Sequence, residues 1–183
     1  PNGMKNRSGP YPKSAAALQD AQRTLGLIRR DSSKLNIDPK KIGVIGFSAT
    51  GHLVAALSTN FKKRVYTALD SADSESCRPD FAISLYPGHM AKDYKIEKGL
   101  NPYLPVSSDT PPTLLIHAQN DAVDPVEYSL LYYAALRKYK VPVEMHLYAE
   151  GGHAFGLRRT DHPITNWPEL AEKWLATIGM LPN

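Results

Sequence analysis

The sequence contains one cysteine, Cys77, in 183 residues. A lone thiol excludes an internal disulfide and is too little for a cysteine-based metal site. Long hydrophobic runs are also missing: no stretch approaches the roughly 20 apolar residues that a membrane-spanning helix needs. The six histidines form no H-E-x-x-H or comparable pair, so neither a metal nor another cofactor is expected. An excess of one charge is scarce as well. Lysine and arginine number 22 against 18 aspartates and glutamates, and the basic pairs Arg29-Arg30, Lys40-Lys41, Lys62-Lys63 and Arg158-Arg159 are scattered among acids. That pattern describes solvated surface, not a nucleic-acid-binding stripe. No internal repeat or low-complexity tract occurs. The opening Pro1-Asn2-Gly3-Met4-Lys5 lacks the pattern of a secretory leader and reads as a loop entered midway. What remains is a globular composition, 42% hydrophobic, of a length that predicts one domain over residues 1–183.

Periodicity places the elements. Gly9, Pro10 and Pro12 make residues 1–13 a loop, and a helix is expected from Ser14, with Ala17, Leu18, Ala21, Leu25, Ile28 and Leu35 along one face. It should end at Asn36-Ile37-Asp38-Pro39, since the residue before a proline is pushed out of helical space. Four short apolar runs predict strands over residues 42–47, 81–86, 113–118 and 143–148. Helices are expected after Ser48, over residues 127–140 and over 168–178. Residues 60–80 are polar and read as a connection with little core of its own, whereas the period-less stretch between Pro87-Gly88 and Pro111-Pro112 is long enough to be functional. Alternating strands and helices, with strands that are continuous apolar runs, predict an α/β architecture: a mostly parallel sheet covered by helices on both faces.

Working residues of such sheets lie beyond the C-terminal ends of the strands. Past the first predicted strand comes Gly46-Phe47-Ser48-Ala49-Thr50-Gly51, the pattern of a sharp strand-to-helix turn that forces a serine out of the sheet beside the first N–H groups of a helix. Ala49 would supply such an amide to an oxyanion. Past the third strand come Asp121 and Asp124, and past the fourth comes Gly151-Gly152-His153. Serine, acid and histidine thus fall in order at one sheet edge. A serine needs an imidazole to take its proton, and the imidazole needs a carboxylate to hold its tautomer; spacing alone leaves Asp121 and Asp124 both open. His117 and His146 lie on predicted strands and are expected to be structural, His52 to hydrogen-bond within the turn, and His162 to lie at the surface.

The runs Gly46-Phe47-Ser48-Ala49, Gly51-His52-Leu53, Leu115-Ile116-His117-Ala118 with Asp121-Ala122-Val123 and Pro125, and Leu147-Tyr148 through Gly156 resemble the α/β-hydrolase family, in particular small bacterial esterases related to acetyl xylan and feruloyl esterases. The resemblance extends from Ser14 to near the end of the chain. It implies a three-layer fold with a mostly parallel sheet, a triad of Ser48, Asp121 and His153, an oxyanion contact from Ala49, and substrate contacts from His89 and Phe155. It selects Asp121 over Asp124, which stands where the family usually has an apolar residue. It also implies N-terminal strands and a glycine-rich loop ahead of the matched region; these residues hold none, so the domain is expected to be N-terminally incomplete. Thr50 departs from G-x-S-x-G and is expected to crowd the strand–helix contact.

The activity so implied is hydrolysis of a carboxylic ester, acetyl or feruloyl, on a plant polysaccharide, with a small ester or acylated saccharide as substrate and neither nucleic acid nor membrane as partner. Two alternatives differ in class: a serine peptidase of the prolyl-oligopeptidase type, and a non-catalytic remnant that needs a partner chain. With residues 42–47 at a sheet edge, a homo-oligomer or pairing with a separate upstream segment is expected.

Overall fold

The computed structural model describes residues 15–182, so the loop expected over residues 1–13 lies outside the described residues. Four strands, β1 (Val44–Phe47), β2 (Ala82–Leu85), β3 (Thr113–Ala118) and β4 (Val143–Tyr148), form one sheet in the order β1-β2-β3-β4. All three pairings are parallel, with Val44 opposite Ala82, Ala82 opposite Thr113, and Thr113 opposite Val143. Every residue of β2 and β3 is buried, while β1 and β4 are only partly covered. Strands buried on both faces carry continuous apolar runs, which is why the period-2 alternation is lost there.

Two apolar layers sandwich the sheet. On one face, Leu18 and Leu25 of α1 (Ala16–Arg30), Ala55 and Leu57 of α3 (Ala49–Thr59), and Tyr132 and Leu136 of α4 (Glu127–Lys138) pack around Leu115. On the other, Ile83, Leu85, Leu114 and Ile116 meet Trp167, Ala171 and Trp174 of α5 (Trp167–Thr177). Each leucine or isoleucine among them, once removed from water, contributes about 1.5–3 kcal/mol. The first helix is shorter than its periodicity predicts. It ends at Arg30, and after Asp31 a single turn, α2 (Ser32–Leu35), ends on Asn36 at φ 54°, a left-handed cap that asparagine tolerates.

Residues 60–80 are the expected connection, with only Ala72 and Cys77 of their residues in the buried hydrophobic core, and side-chain hydrogen bonds hold them to α1. Gln22, buried on α1, donates to the carbonyls of Asn60 and Lys63 and accepts from the Val65 N–H. Arg23 pairs with Asp70 at 2.6 Å and Asp73 at 2.9 Å, and Arg64 donates to the carbonyls of Ala72 and Glu75. Ala72 and Cys77 are buried, the Cys77 thiol pushed up by that burial. Polar side chains therefore fasten this segment to α1, a bond pattern that apolar periodicity cannot reveal.

Candidate active site

The sheet's parallel order brings the loops after β1, β3 and β4 to its C-terminal edge. Between β1 and α3 the chain turns at Ser48, whose backbone is at φ 54°, ψ −122°. Non-glycine residues at positive φ are strained and persist only where the surroundings fix them. Here the clamps are the Ser48 N–H donating to the Leu85 carbonyl at 3.0 Å and the Ser48 carbonyl accepting from the Gly88 N–H at 3.1 Å. Strand and helix nearly touch: a Cβ on Gly46 would lie 2.3 Å from the Thr50 carbonyl oxygen, and one on Gly51 3.0 Å from Pro87 Cα.

Thr50 does not crowd that contact. Its side chain is exposed at the sheet edge, where its hydroxyl accepts from the Phe47 N–H at 2.8 Å and donates to the Phe47 carbonyl at 2.7 Å. The close β1–α3 contact falls at Gly46, against the Thr50 backbone and not its side chain, so the expected overpacking is replaced by two hydrogen bonds that close the end of β1.

The Ser48 hydroxyl lies 3.1 Å from His153 Nε2, and His153 Nδ1 lies 2.8 Å from Asp121 Oδ2. A carboxylate only accepts, so Nδ1 carries the proton and Nε2 presents its lone pair to the serine. Burial alone would push the Asp121 carboxyl up, but the N–H groups of Asp124 and Val123 and the His153 ring together hold it below the usual carboxylate range. It is therefore anionic where its partner needs it to be.

Supporting side chains aim these three. His153 stands edge-to-face on Tyr86 at 5.0 Å; Tyr86 in turn packs on Phe155 at 4.5 Å, and Trp167 Nε1 donates to the Gly156 carbonyl at 2.7 Å. Asn120 accepts from the Gly152 N–H, linking the loop of the acid to that of the histidine. His117 is buried below, its Nε2 donating to the Asp124 carbonyl at 3.0 Å and its Nδ1 accepting from Ser129 at 2.8 Å; burial pushes its pKa down. His52 reaches out of the turn to the backbone of Gly88 and His89, and burial drives its pKa down to about 3. Both rings are thus neutral structural posts. His146 bonds Glu144 on β4, and His162 meets Glu150 at 3.2 Å.

Of the residues singled out from sequence, Ser48, Asp121 and His153 converge, and Ala49 opens α3 beside the serine. His89 sits at the rim, edge-on to Tyr94 at 5.5 Å. Phe155 is buried against Tyr86, the ring on which His153 stands. Two further residues join the site, Tyr86, which sequence reasoning missed, and Asp124, weighed there only as an alternative triad acid. Tyr86, the last of an apolar run before Pro87-Gly88, is at φ 36°; Asp124, three residues past Asp121, has Oδ2 3.5 Å from the Ser48 hydroxyl. Among the described residues no His, Cys, Asp and Glu cluster could hold a metal ion, and no helix is long and apolar enough to cross a membrane.

A parallel sheet flanked by helices with a strained serine at a strand–helix turn is the architecture of the α/β-hydrolase fold. The chain belongs to the prolyl oligopeptidase family, which it matches over residues 29–178. It superposes on the crystal structure of an acetyl ester-xyloside bifunctional hydrolase from Caldicellulosiruptor lactoaceticus with a TM-score of 0.81 and 38% identity, covering 94% of this chain and 68% of that one. It is 33% identical over 172 residues to endo-1,4-beta-xylanase B of Butyrivibrio fibrisolvens and 27% identical over 168 residues to the acetylxylan esterase of Xylanibacter ruminicola. Those alignments cover 85% and 80% of this chain but only 27% and 32% of the relatives' own lengths.

Proposed function

We propose that the protein is a serine esterase that hydrolyses carboxylic esters through Ser48, His153 and Asp121, with acetyl or feruloyl groups on plant polysaccharide as its substrate class. The single observation that carries the reading is the continuous relay from Ser48 Oγ through His153 to Asp121, at 3.1 and 2.8 Å. Ser48 Oγ attacks the ester carbonyl while His153 Nε2 takes its proton, and Asp121 stabilises the imidazolium. The oxyanion of the tetrahedral intermediate accepts from the Ala49 N–H. Collapse expels the alcohol, which leaves with the proton from His153, and water then attacks the acyl-serine by the same route. No metal or other cofactor enters the scheme.

The names of the similar proteins, an acetylxylan esterase and an acetyl ester-xyloside hydrolase, favour acetyl as the acyl group. Release of acetate from acetylated xylan by the wild type, absent in Ser48→Ala, is the expected result. The family description favours a second reading, cleavage of peptide bonds next to proline. Turnover of a proline-containing peptide amide with no acetate release would replace the first reading by the second.

A further inference from the structure

One acidic side chain at the site has no part in the proton relay. The Asp124 backbone is pinned from both sides, its N–H donating to Asp121 Oδ1 at 3.0 Å and its carbonyl accepting from His117 Nε2 at 3.0 Å. This fixes the side chain's direction, which is toward Ser48. The residue is only 8% exposed, yet among the described residues the one hydrogen bond to its carboxylate is the long one from the Ser48 hydroxyl, at 3.5 Å. Asp121, three residues earlier, accepts two backbone N–H groups and the His153 ring. The space for the Asp124 carboxylate exists because residue 88 is glycine: both carboxylate oxygens lie 2.8 Å from where a Cβ on Gly88 would be.

A carboxylate in this place has a cost for the chemistry. It offers the Ser48 proton a second acceptor and opposes the negative charge that develops during attack. Burial already pushes its pKa up, the mark of a desolvated acid short of donors, and the neighbouring Asp121 carboxylate adds to the rise, while His89 is foremost among the rings that would lower it when charged. A substrate hydroxyl would supply the missing donor and lessen the cost.

We propose that the Asp124 carboxylate, seated over Gly88 and next to His89, is the hydroxyl-recognition group of the Ser48 site, accepting a hydrogen bond from a hydroxyl adjacent to the scissile ester. This rests on the reading of Ser48 as the nucleophile and deepens it: the substrate is an ester of a polyol, as a sugar is, and simple alkyl esters are discriminated against. An apolar side chain at this position could not make the distinction.

Glycerol 1-acetate and propyl acetate share an acyl group and a chain length and differ in hydroxyls. The wild type should prefer glycerol 1-acetate in kcat/KM by about 10–100-fold, the range expected when one hydrogen bond to a charged group separates two substrates. Asp124→Val should lose that preference, the kcat/KM ratio of the two esters falling to about one. Asp124→Asn keeps the shape and one acceptor oxygen, covers the case in which the valine variant does not fold, and should retain a reduced preference. Equal losses on both esters, or an unchanged ratio, would overturn the assignment. A second arm needs no turnover: glycerol, but not propan-1-ol, should shift the amide resonances of Gly88 and Asp124 in the wild type and in Ser48→Ala, and not in Asp124→Val. If the wild type hydrolyses neither ester, the hydrolase reading fails while this titration still decides the subsite, and amides unmoved by glycerol would overturn it.

Discussion

In the proposed reaction Asp121 has to stay anionic and has to hold one tautomer of His153. Replacing it by asparagine removes the charge and puts an N–H where an acceptor was needed, so the imidazole turns its proton toward Ser48. Asp121→Asn is therefore expected to lower kcat by about 10⁴ with the fold intact, as measured on any chromogenic ester that the wild type turns over. Ser48, Asp121 and His153 were legible in the sequence because each follows an apolar run directly, and parallel strands deliver their C-terminal loops to one edge. The choice between Asp121 and Asp124 was not legible from spacing. It depends on which carboxylate the loop backbone turns toward the ring, and three residues of loop are enough to aim the two acids in different directions. Nor could Tyr86 be read as the rest for the His153 ring, since an aromatic at the end of a buried run looks like core. Its position depends on a left-handed backbone that the following Pro87-Gly88 hints at but does not specify.

The turn between β1 and α3 shows how one element can be misread by motif. A threonine in place of the second glycine suggests a clash, whereas the tight contact is between Gly46 and the Thr50 backbone and the Thr50 side chain turns outward onto the Phe47 backbone. Thr50→Gly is accordingly expected to destabilise the protein by about 1–2 kcal/mol, from lost hydrogen bonds and the entropy of glycine in a helix. Thr50→Val, which keeps the volume and removes only the hydroxyl, should show about half of that in urea unfolding; a Thr50→Gly variant more stable than wild type would restore the crowding explanation. The 60–80 connection carries a pH dependence of known sign. Hydrogen bonds from Arg23 and the Ala72 N–H lower Asp70 from 3.8 to about 2, so its stabilising share is present above the ordinary carboxylate value and is lost as pH falls from 3.8 toward 2. Amide exchange in this segment should therefore quicken in acid before that of β2 and β3 does, and Arg23→Met should produce the same local loosening at neutral pH. The strands, bounded by proline and glycine, were legible to within two residues. The fastening of this connection was not, because its partners lie 47 and 50 positions away from Arg23.

At the scale of the molecule the sheet is fully covered in the middle and open at β1. Among the described residues no strand pairs with the outer side of β1, Ile45 there is 50% exposed, and an apolar groove of about 420 Å³ runs between α1, β1 and α3. A strand edge of this kind is a template for another chain, and Thr50 closes only its last residue. The 183-residue chain is expected to self-associate through this edge, seen as a concentration-dependent rise in sedimentation coefficient that Ile45→Lys reduces; a monomer at every concentration would contradict it. The architecture itself was legible because fully buried parallel strands leave continuous apolar runs, and the two-sided helix layer follows from their number and spacing. What the whole fold exists to do, in this account, is to hold one activated serine. Labelling of the folded chain by a fluorophosphonate, read by intact mass, tests that most directly, because the reaction requires an activated hydroxyl and no knowledge of the substrate. One adduct on wild type, located at Ser48, and none on Ser48→Ala or His153→Ala is the predicted result; unlabelled wild type, or an adduct that persists in Ser48→Ala, would contradict it.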